Sequence, residues 1–364
     1  MFLIQEKFSN VVSYDHLIKI LNSGKTNEYF SSFVLCLVNN IDMVCADLQG
    51  MSIKNPIKIS SKEDLKKSIH QTKASLILNT SGTTGAAKIY KHSVNTLLKN
   101  IKVDTKKSVW ALTYNPRHMG GVQVILQSIT NLQTIVDIYK DSRESILNQL
   151  DKYNISHISA TPSFYRLLQP FVKTFENVKR VTVGGELSQR STFEFIKKVF
   201  PHAQVNNIYA LTEKGACLFS KNEFFDLTDA VEIKDKILFI RLNDGSWCNT
   251  GDLVEISEED SKKFKIIGRS SDVVNVGGNN VNINEVEEVL RSHHEIKDAI
   301  VFPKKNSVLG NILACDIVKK SEDLDSKDVT TFLRDRGFSE YKIPRFINFI
   351  KQVQVSENLK TKRS

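Results

Sequence analysis

Apolar positions come in short runs separated by stretches of helical spacing. Runs at 33–38 (Phe-Val-Leu-Cys-Leu-Val), 42–47, 109–113, 134–138, 155–158, 180–183 and 205–209 read as strands. Between them, 61–71 opens like a capped helix (Ser-Lys-Glu-Asp), and 92–101 carries Val94, Leu97, Leu98 and Ile101 on one helical face. Helices are also expected over 121–129, 142–150, 163–168 and 188–200. Such alternation predicts βαβ units: an α/β fold with a mainly parallel sheet covered by helices. In that architecture ligands gather beyond the carboxyl ends of the strands. From about residue 216 the pattern shifts to short strands and turns, including a strand at 236–240 and an Asn243-Asp244-Gly245 turn. A polar turn at 268–272 then leads into a compact α+β segment. It has helices at 284–292 and 327–336 and strands at 299–302, 312–318 and 346–349. We therefore expect a large domain over 1–270, with a β-rich section, and a small α+β domain over 271–364.

One stretch breaks the pattern chemically. The apolar run at 76–78 gives way to Thr80, Ser81, Gly82, Thr83, Thr84 and Gly85, and Lys88 closes the loop. Glycines let the backbone approach an anion, and hydroxyls, successive N–H groups and a lysine supply donors and charge. The loop suits phosphate, although a flexible Ser/Thr/Gly linker has the same composition. It is not a Walker loop, because Ala87 precedes Lys88 and Ile89 follows it.

The bulk numbers narrow the class. A chain of 364 residues accommodates two cores. No run approaches the roughly 18 apolar residues of a membrane span, and the apolar start is too short for a signal peptide. Five scattered cysteines without a CxxC pair argue against a disulfide framework or a zinc site and for a cytoplasmic protein. The net charge of +9 fits anionic ligands or an acidic carrier protein, and fits equally a lysine-rich solvated surface. No basic run with interleaved aromatics points to nucleic acid.

Further stretches fall where strands end, Asn115-Pro116-Arg117-His118, Gly184-Gly185-Glu186 and Tyr209-Ala210-Leu211-Thr212-Glu213, while Thr250-Gly251-Asp252 sits in the β-rich section and Gly268-Arg269-Ser270-Ser271-Asp272 in the polar turn. Each alone is an ordinary turn or helix start. In this order, with the loop at 80–88, Gly277-Gly278-Asn279-Asn280 and the tail around Lys360, they resemble the adenylate-forming (AMP-binding) superfamily, with acyl-CoA synthetases and acid–CoA ligases among its members. The resemblance runs from about residue 74 to the C-terminus.

The resemblance implies an acyl-CoA synthetase-like fold and a two-step reaction. A small carboxylic acid attacks ATP to give an acyl-adenylate and pyrophosphate, and a thiol then displaces AMP. Thr80 to Lys88 would hold the β- and γ-phosphates and pyrophosphate. Gly184, Gly185 and Glu186 would line the adenine, and Tyr209 would stack on it. Thr212 would touch the α-phosphate, and Glu213 would bind Mg²⁺. Asp252 would accept from the ribose hydroxyls, with Arg269 near the ribose and phosphate. His118 would stand at the carboxylate pocket, or cap the following helix. Lys360 would bridge the acid and the α-phosphate, and Gly277 and Gly278 would admit pantetheine after the small domain swings. The thiol would come from coenzyme A or, alternatively, from the phosphopantetheine of an acyl carrier protein. A non-catalytic nucleotide-binding homologue is a further alternative. Ala87, Ala210, Ser271 and Leu359 depart from the family pattern, the last two where they would affect the swing or the approach of the lysine. The early position of the phosphate loop implies an abbreviated N-terminal region.

Overall fold

The structure is a computed structural model, and it describes residues 1–5, 10–80, 88–99, 101, 103–104, 106–170, 173–211, 215–242 and 244–353. The chain divides into two compact units. One comprises Met1–Ala160, Phe175–Val181 and Leu211–Gly215, and the other Thr161–Thr174, Thr182–Ala210 and Ala216–Ser364.

In the first unit the expected alternation forms a mainly parallel sheet. The order is His157–Ala160, Val109–Leu112, Thr134–Asp137, Leu3–Gln5 and Asn10–Val12. The first four run parallel, with Trp110 opposite His157 on one side and Ile135 on the other. Asn10–Val12 adds an antiparallel edge. Helices Met119–Thr130 and Arg143–Lys152 make the crossovers. Strands covered on both faces read as unbroken apolar runs, which is why 109–113 and 134–138 were legible. Helix starts were legible too. Ser61 and Ser142 accept the backbone N–H groups of Asp64 and Ser145, as N-cap serines do.

Two readings need correction. Residues 33–38 are not a strand but the end of helix Tyr29–Val38, in which every residue from Phe30 to Val38 is buried. An element buried on all sides has no polar face to reveal its period. The stretch 92–101 is helical only over Val94–Leu98; its start belongs to strand Lys88–Ser93. That strand pairs antiparallel with Ser75–Thr80, which also pairs in parallel with Met43–Val44.

In the second unit a five-stranded antiparallel sheet runs in the order Phe224–Asp226, Lys263–Arg269, Trp247–Ile256, Ile237–Arg241 and Val231–Lys234. A hairpin, Val273–Val276 with Asn279–Asn282, leads to helix Ile283–Arg291. The strands Ile296–Asn306, Gly310–Lys319 and Phe346–Phe349 form a three-stranded sheet, and helix Ser326–Asp335 completes the group. Val281, Val286, Leu290, Val301, Cys315 and Leu333 share its core. The architecture is the expected mixed α/β fold, with a parallel-sheet portion and a β-rich C-terminal region.

Candidate active site

Three of the sequence-marked residues meet in the second unit. Asp252 on strand Trp247–Ile256 lies opposite Arg269 on strand Lys263–Arg269, and the Arg269 Nε donates to Asp252 Oδ1 at 3.1 Å. The Tyr209 hydroxyl, from strand Gln204–Leu211, donates to Oδ2 of the same carboxylate. Gly251 has φ +70°, and beyond it the Asp252 N–H donates to Thr250 Oγ1 at 3.1 Å. Asp252 is 6% exposed. Burial raises its carboxyl above the ordinary value, while the Tyr209 hydrogen bond and the Arg269 charge oppose that shift. Burial, and after it the neighbouring Asp252 charge, pushes the Tyr209 phenol up, so it is a neutral donor. The result is a carboxylate fixed from both sides and suited to accept from vicinal hydroxyls.

Strand Arg180–Gly184 ends at the Gly184-Gly185-Glu186 turn. A Cβ on Gly184 would stand 2.7 Å from the Ile208 carbonyl oxygen, and Gly185 has φ +81°, so both positions require glycine. The Glu186 carboxylate accepts from the N–H and hydroxyl of Ser163, at 2.9 and 3.0 Å. Ser163 and Arg166 belong to helix Pro162–Leu167, which Thr161 caps. The Thr-Pro-Ser helix start was the signal that could have drawn attention to them.

In the first unit, His118 is the N-cap residue of helix Met119–Thr130, without a side-chain cap hydrogen bond. Its loop is held from outside. Arg117 Nη1 donates to the carbonyls of Ala46 and Leu48 at 2.6 and 3.0 Å, and its guanidinium lies 4.8 Å from the Tyr29 ring centroid. The Tyr29 hydroxyl donates to the Pro116 carbonyl at 2.9 Å. Sequence reasoning missed both anchors.

Gly277 and Gly278, at φ +55° and +90°, turn the hairpin, and the Gly277 N–H donates to the Leu309 carbonyl at 3.1 Å. The loop expected to hold phosphate falls between two antiparallel strands whose register sets Thr80 opposite Lys88. Ser81, Gly82, Thr83, Thr84, Gly85, Thr212, Glu213 and Lys360 lie outside the described residues.

Comparison with known proteins settles the family. Residues 34–234 match the AMP-binding enzyme family, and 285–360 match the AMP-binding enzyme C-terminal domain. The chain is an AMP-binding enzyme of the adenylate-forming superfamily. Among AMP-binding enzymes it is similar to 4-coumarate–CoA ligase-like 5 of Oryza sativa subsp. japonica, 22% identical over 79% of this chain and 60% of that protein. A shorter segment is similar to triostin synthetase I of Streptomyces triostinicus, 39% identical over 26% of this chain and 18% of that protein. The chain thus spans less than two thirds of either relative. Its fold is similar to that of ATP-bound MatB from Rhodopseudomonas palustris (TM-score 0.72, 15% identity, 99% of this chain and 93% of that one).

Proposed function

We propose that this AMP-binding enzyme activates a small carboxylic acid with ATP and transfers the acyl group to coenzyme A. The observation that carries this reading is the buried Asp252 carboxylate, held between Tyr209 and Arg269 in a chain of this family. Its acceptor atoms fit the ribose hydroxyls of ATP, which are donors. Tyr209 would supply its ring to the adenine beside the Gly184-Gly185-Glu186 turn. The loop from Thr80 to Lys88 would hold the β- and γ-phosphates, with donors aimed where charge develops.

Thr212 would touch the α-phosphate, Lys360 would bridge the two anions that must meet, and His118 would face the acid. Mg²⁺ would be held by Glu213, where it would offset phosphate charge. Gly277 and Gly278 would border the pantetheine. In this reading 1–270 is the adenylate-forming core and 271–364 the mobile C-terminal part.

Coenzyme A is preferred over a carrier protein because the relative similar over most of the chain is named for CoA ligation, whereas the synthetase likeness covers 26% of it. The test is acid-dependent ATP–pyrophosphate exchange across an acid panel, followed by thioester formation with coenzyme A and with a set of carriers. Exchange plus acyl-CoA is the expected result, and Lys360→Ala should abolish exchange while sparing thioester formation from supplied acyl-adenylate. Loading of a carrier without acyl-CoA would overturn the choice of thiol. Tight ATP binding without exchange for any acid would favour a non-catalytic nucleotide-binding protein.

A further inference from the structure

The second unit also holds a largely buried chain of alternating charges that starts at Glu186. Arg166, with a side chain 12% exposed, lies 3.9 Å from Glu186 Oε2 and donates from Nε to Asp298 Oδ2 at 3.2 Å. Arg291, 8% exposed, donates from Nε to the other oxygen of Asp298 at 2.8 Å and pairs with Glu287 at 3.2 Å. The order Glu186, Arg166, Asp298, Arg291, Glu287 runs negative, positive, negative, positive, negative.

Hydrogen bonds tie this chain to the backbone at both ends. Arg166 Nη2 donates to Ser163 Oγ at 2.7 Å, and Ser163 donates to Glu186. Arg291 Nη1 donates to Gln189 Oε1 at 3.1 Å, and Glu287 Oε1 accepts from the Val301 N–H at 3.0 Å. Burial acts to raise the Asp298 carboxyl, but the Arg166 and Arg291 charges outweigh it and hold it below the ordinary carboxylate value.

Stability alone is a poor reason for so many buried ions, since apolar replacements of such clusters are often as stable. What apolar residues do not provide is fixed direction: a carboxylate shared by two guanidiniums sets both planes at once. The object held in place here is the Gly184-Gly185-Glu186 turn, anchored through Ser163 and Glu186, with Gln189 three residues beyond.

We propose that Arg166 and Asp298 are positioning residues for the nucleotide. Asp298 orients Arg166, and Arg166, through Ser163 and Glu186, sets the turn against which adenosine binds. The proposal rests on the reading of that turn as part of the ATP site. It gives residues of the Ile283–Arg291 helix and the Ile296–Asn306 strand a say in ATP affinity without contact with ATP, in the arrangement in which Asp298 meets Arg166.

The test compares full-length wild type, Asp298→Asn, Asp298→Glu, Ser163→Ala and Asp252→Asn by calorimetric titration with ATP, by steady-state kinetics and by urea unfolding. Asp298→Asn should weaken ATP binding by about tenfold, raising the KM for ATP while the KM for the acid stays within about twofold. Asp298→Glu should recover part of the loss. Ser163→Ala keeps every charge and serves if Asp298→Asn does not fold, and it should weaken ATP in the same direction. Unchanged ATP affinity in the folded Asp298→Asn or Ser163→Ala protein, next to a weakened Asp252→Asn, overturns the positioning role alone. A wild-type chain that binds no ATP overturns the nucleotide reading and this proposal with it.

Discussion

Tyr209→Phe separates what holds Asp252 in the protein from what Asp252 offers a ligand. The substitution keeps the ring and removes only the hydroxyl that donates to Oδ2. Asp252 is 6% exposed, so water has little access to the vacated oxygen, and Arg269 Nε at 3.1 Å becomes its remaining side-chain donor. A hydrogen bond to a charged acceptor contributes about 1.5–3 kcal/mol, and a loss of roughly 2 kcal/mol in unfolding free energy is expected at neutral pH. The loss should depend on pH in a defined sense. Burial holds the Asp252 carboxyl above its ordinary value, so its linkage stabilises the fold at acid pH and that stabilisation fades as pH rises from about 4 through the raised value. The Tyr209 hydroxyl favours the ionised form, so removing it pushes the carboxyl further up. The deficit of the variant should therefore be larger at pH 8 than at pH 4.5.

ATP affinity should respond differently. A carboxylate has about four acceptor sites, so a ribose hydroxyl does not need the site that Tyr209 occupies. Urea unfolding at the two pH values and titration with ATP check both halves. Tyr209→Phe should lose stability but bind ATP at least as well as wild type, whereas Asp252→Asn should bind it more weakly. An equal deficit at both pH values would refute the electrostatic argument. An ATP loss in Tyr209→Phe as large as that in Asp252→Asn would refute the assignment of the hydroxyl to internal support.

Three further outcomes are expected. His157, 8% exposed beside Trp110, is lowered to about 4 by burial and then by the Arg180 charge, so the unfolded chain takes up its proton first as pH falls below 6.5. Stability should fall by roughly 3 kcal/mol between pH 6.5 and about 4 from this group, and His157→Gln should flatten that segment of the urea-unfolding profile. Gly121→Ala places a Cβ 2.2 Å from the Asn115 carbonyl oxygen, so a cost of about 1–3 kcal/mol is expected, and an unchanged thermal midpoint would contradict the packing described. Arg117→Ala removes the Nη1 that donates to both the Ala46 and Leu48 carbonyls, so it should lower stability by about 1–2 kcal/mol, read by urea unfolding.

Local signals were the ones the sequence carried well. Ser61 and Ser142 announce their helices because an N-cap acts within four residues. The runs at 109–113 and 134–138 announce strands because both faces are covered. The pairing of Asp252 with Arg269 was not visible, although each had been assigned a ribose-side role, because it depends on the register of two antiparallel strands. Arg166 and Asp298 stand 132 residues apart, beyond the reach of any spacing argument. The misread run at 33–38 marks the opposite limit: there the local signal was strong but could not tell a strand from a helix buried on all sides.

The same distinction explains why the first residues carried so little signal and yet matter to the candidate site. Leu3–Gln5 is too short for any periodicity to register, but it pairs with Thr134–Asp137, and the Ile135 N–H donates to the Phe2 carbonyl at 2.8 Å. Gln5 donates to the Asp137 carboxylate at 2.8 Å, and the Tyr14 hydroxyl donates to the Gln133 carbonyl at 2.7 Å. Phe2, Leu17, Leu21 and Phe33 then share one core with Leu112, Val122 and Ile125. Through that core, and through Tyr29 and the Ala46 and Leu48 carbonyls on Arg117, residues 2–5 and 10–48 fix the loop that leads to His118. Substitutions that loosen the Tyr14–Ser23 and Tyr29–Val38 helices therefore act on the start of the Met119–Thr130 helix, although no motif in that part of the chain announces a chemical role.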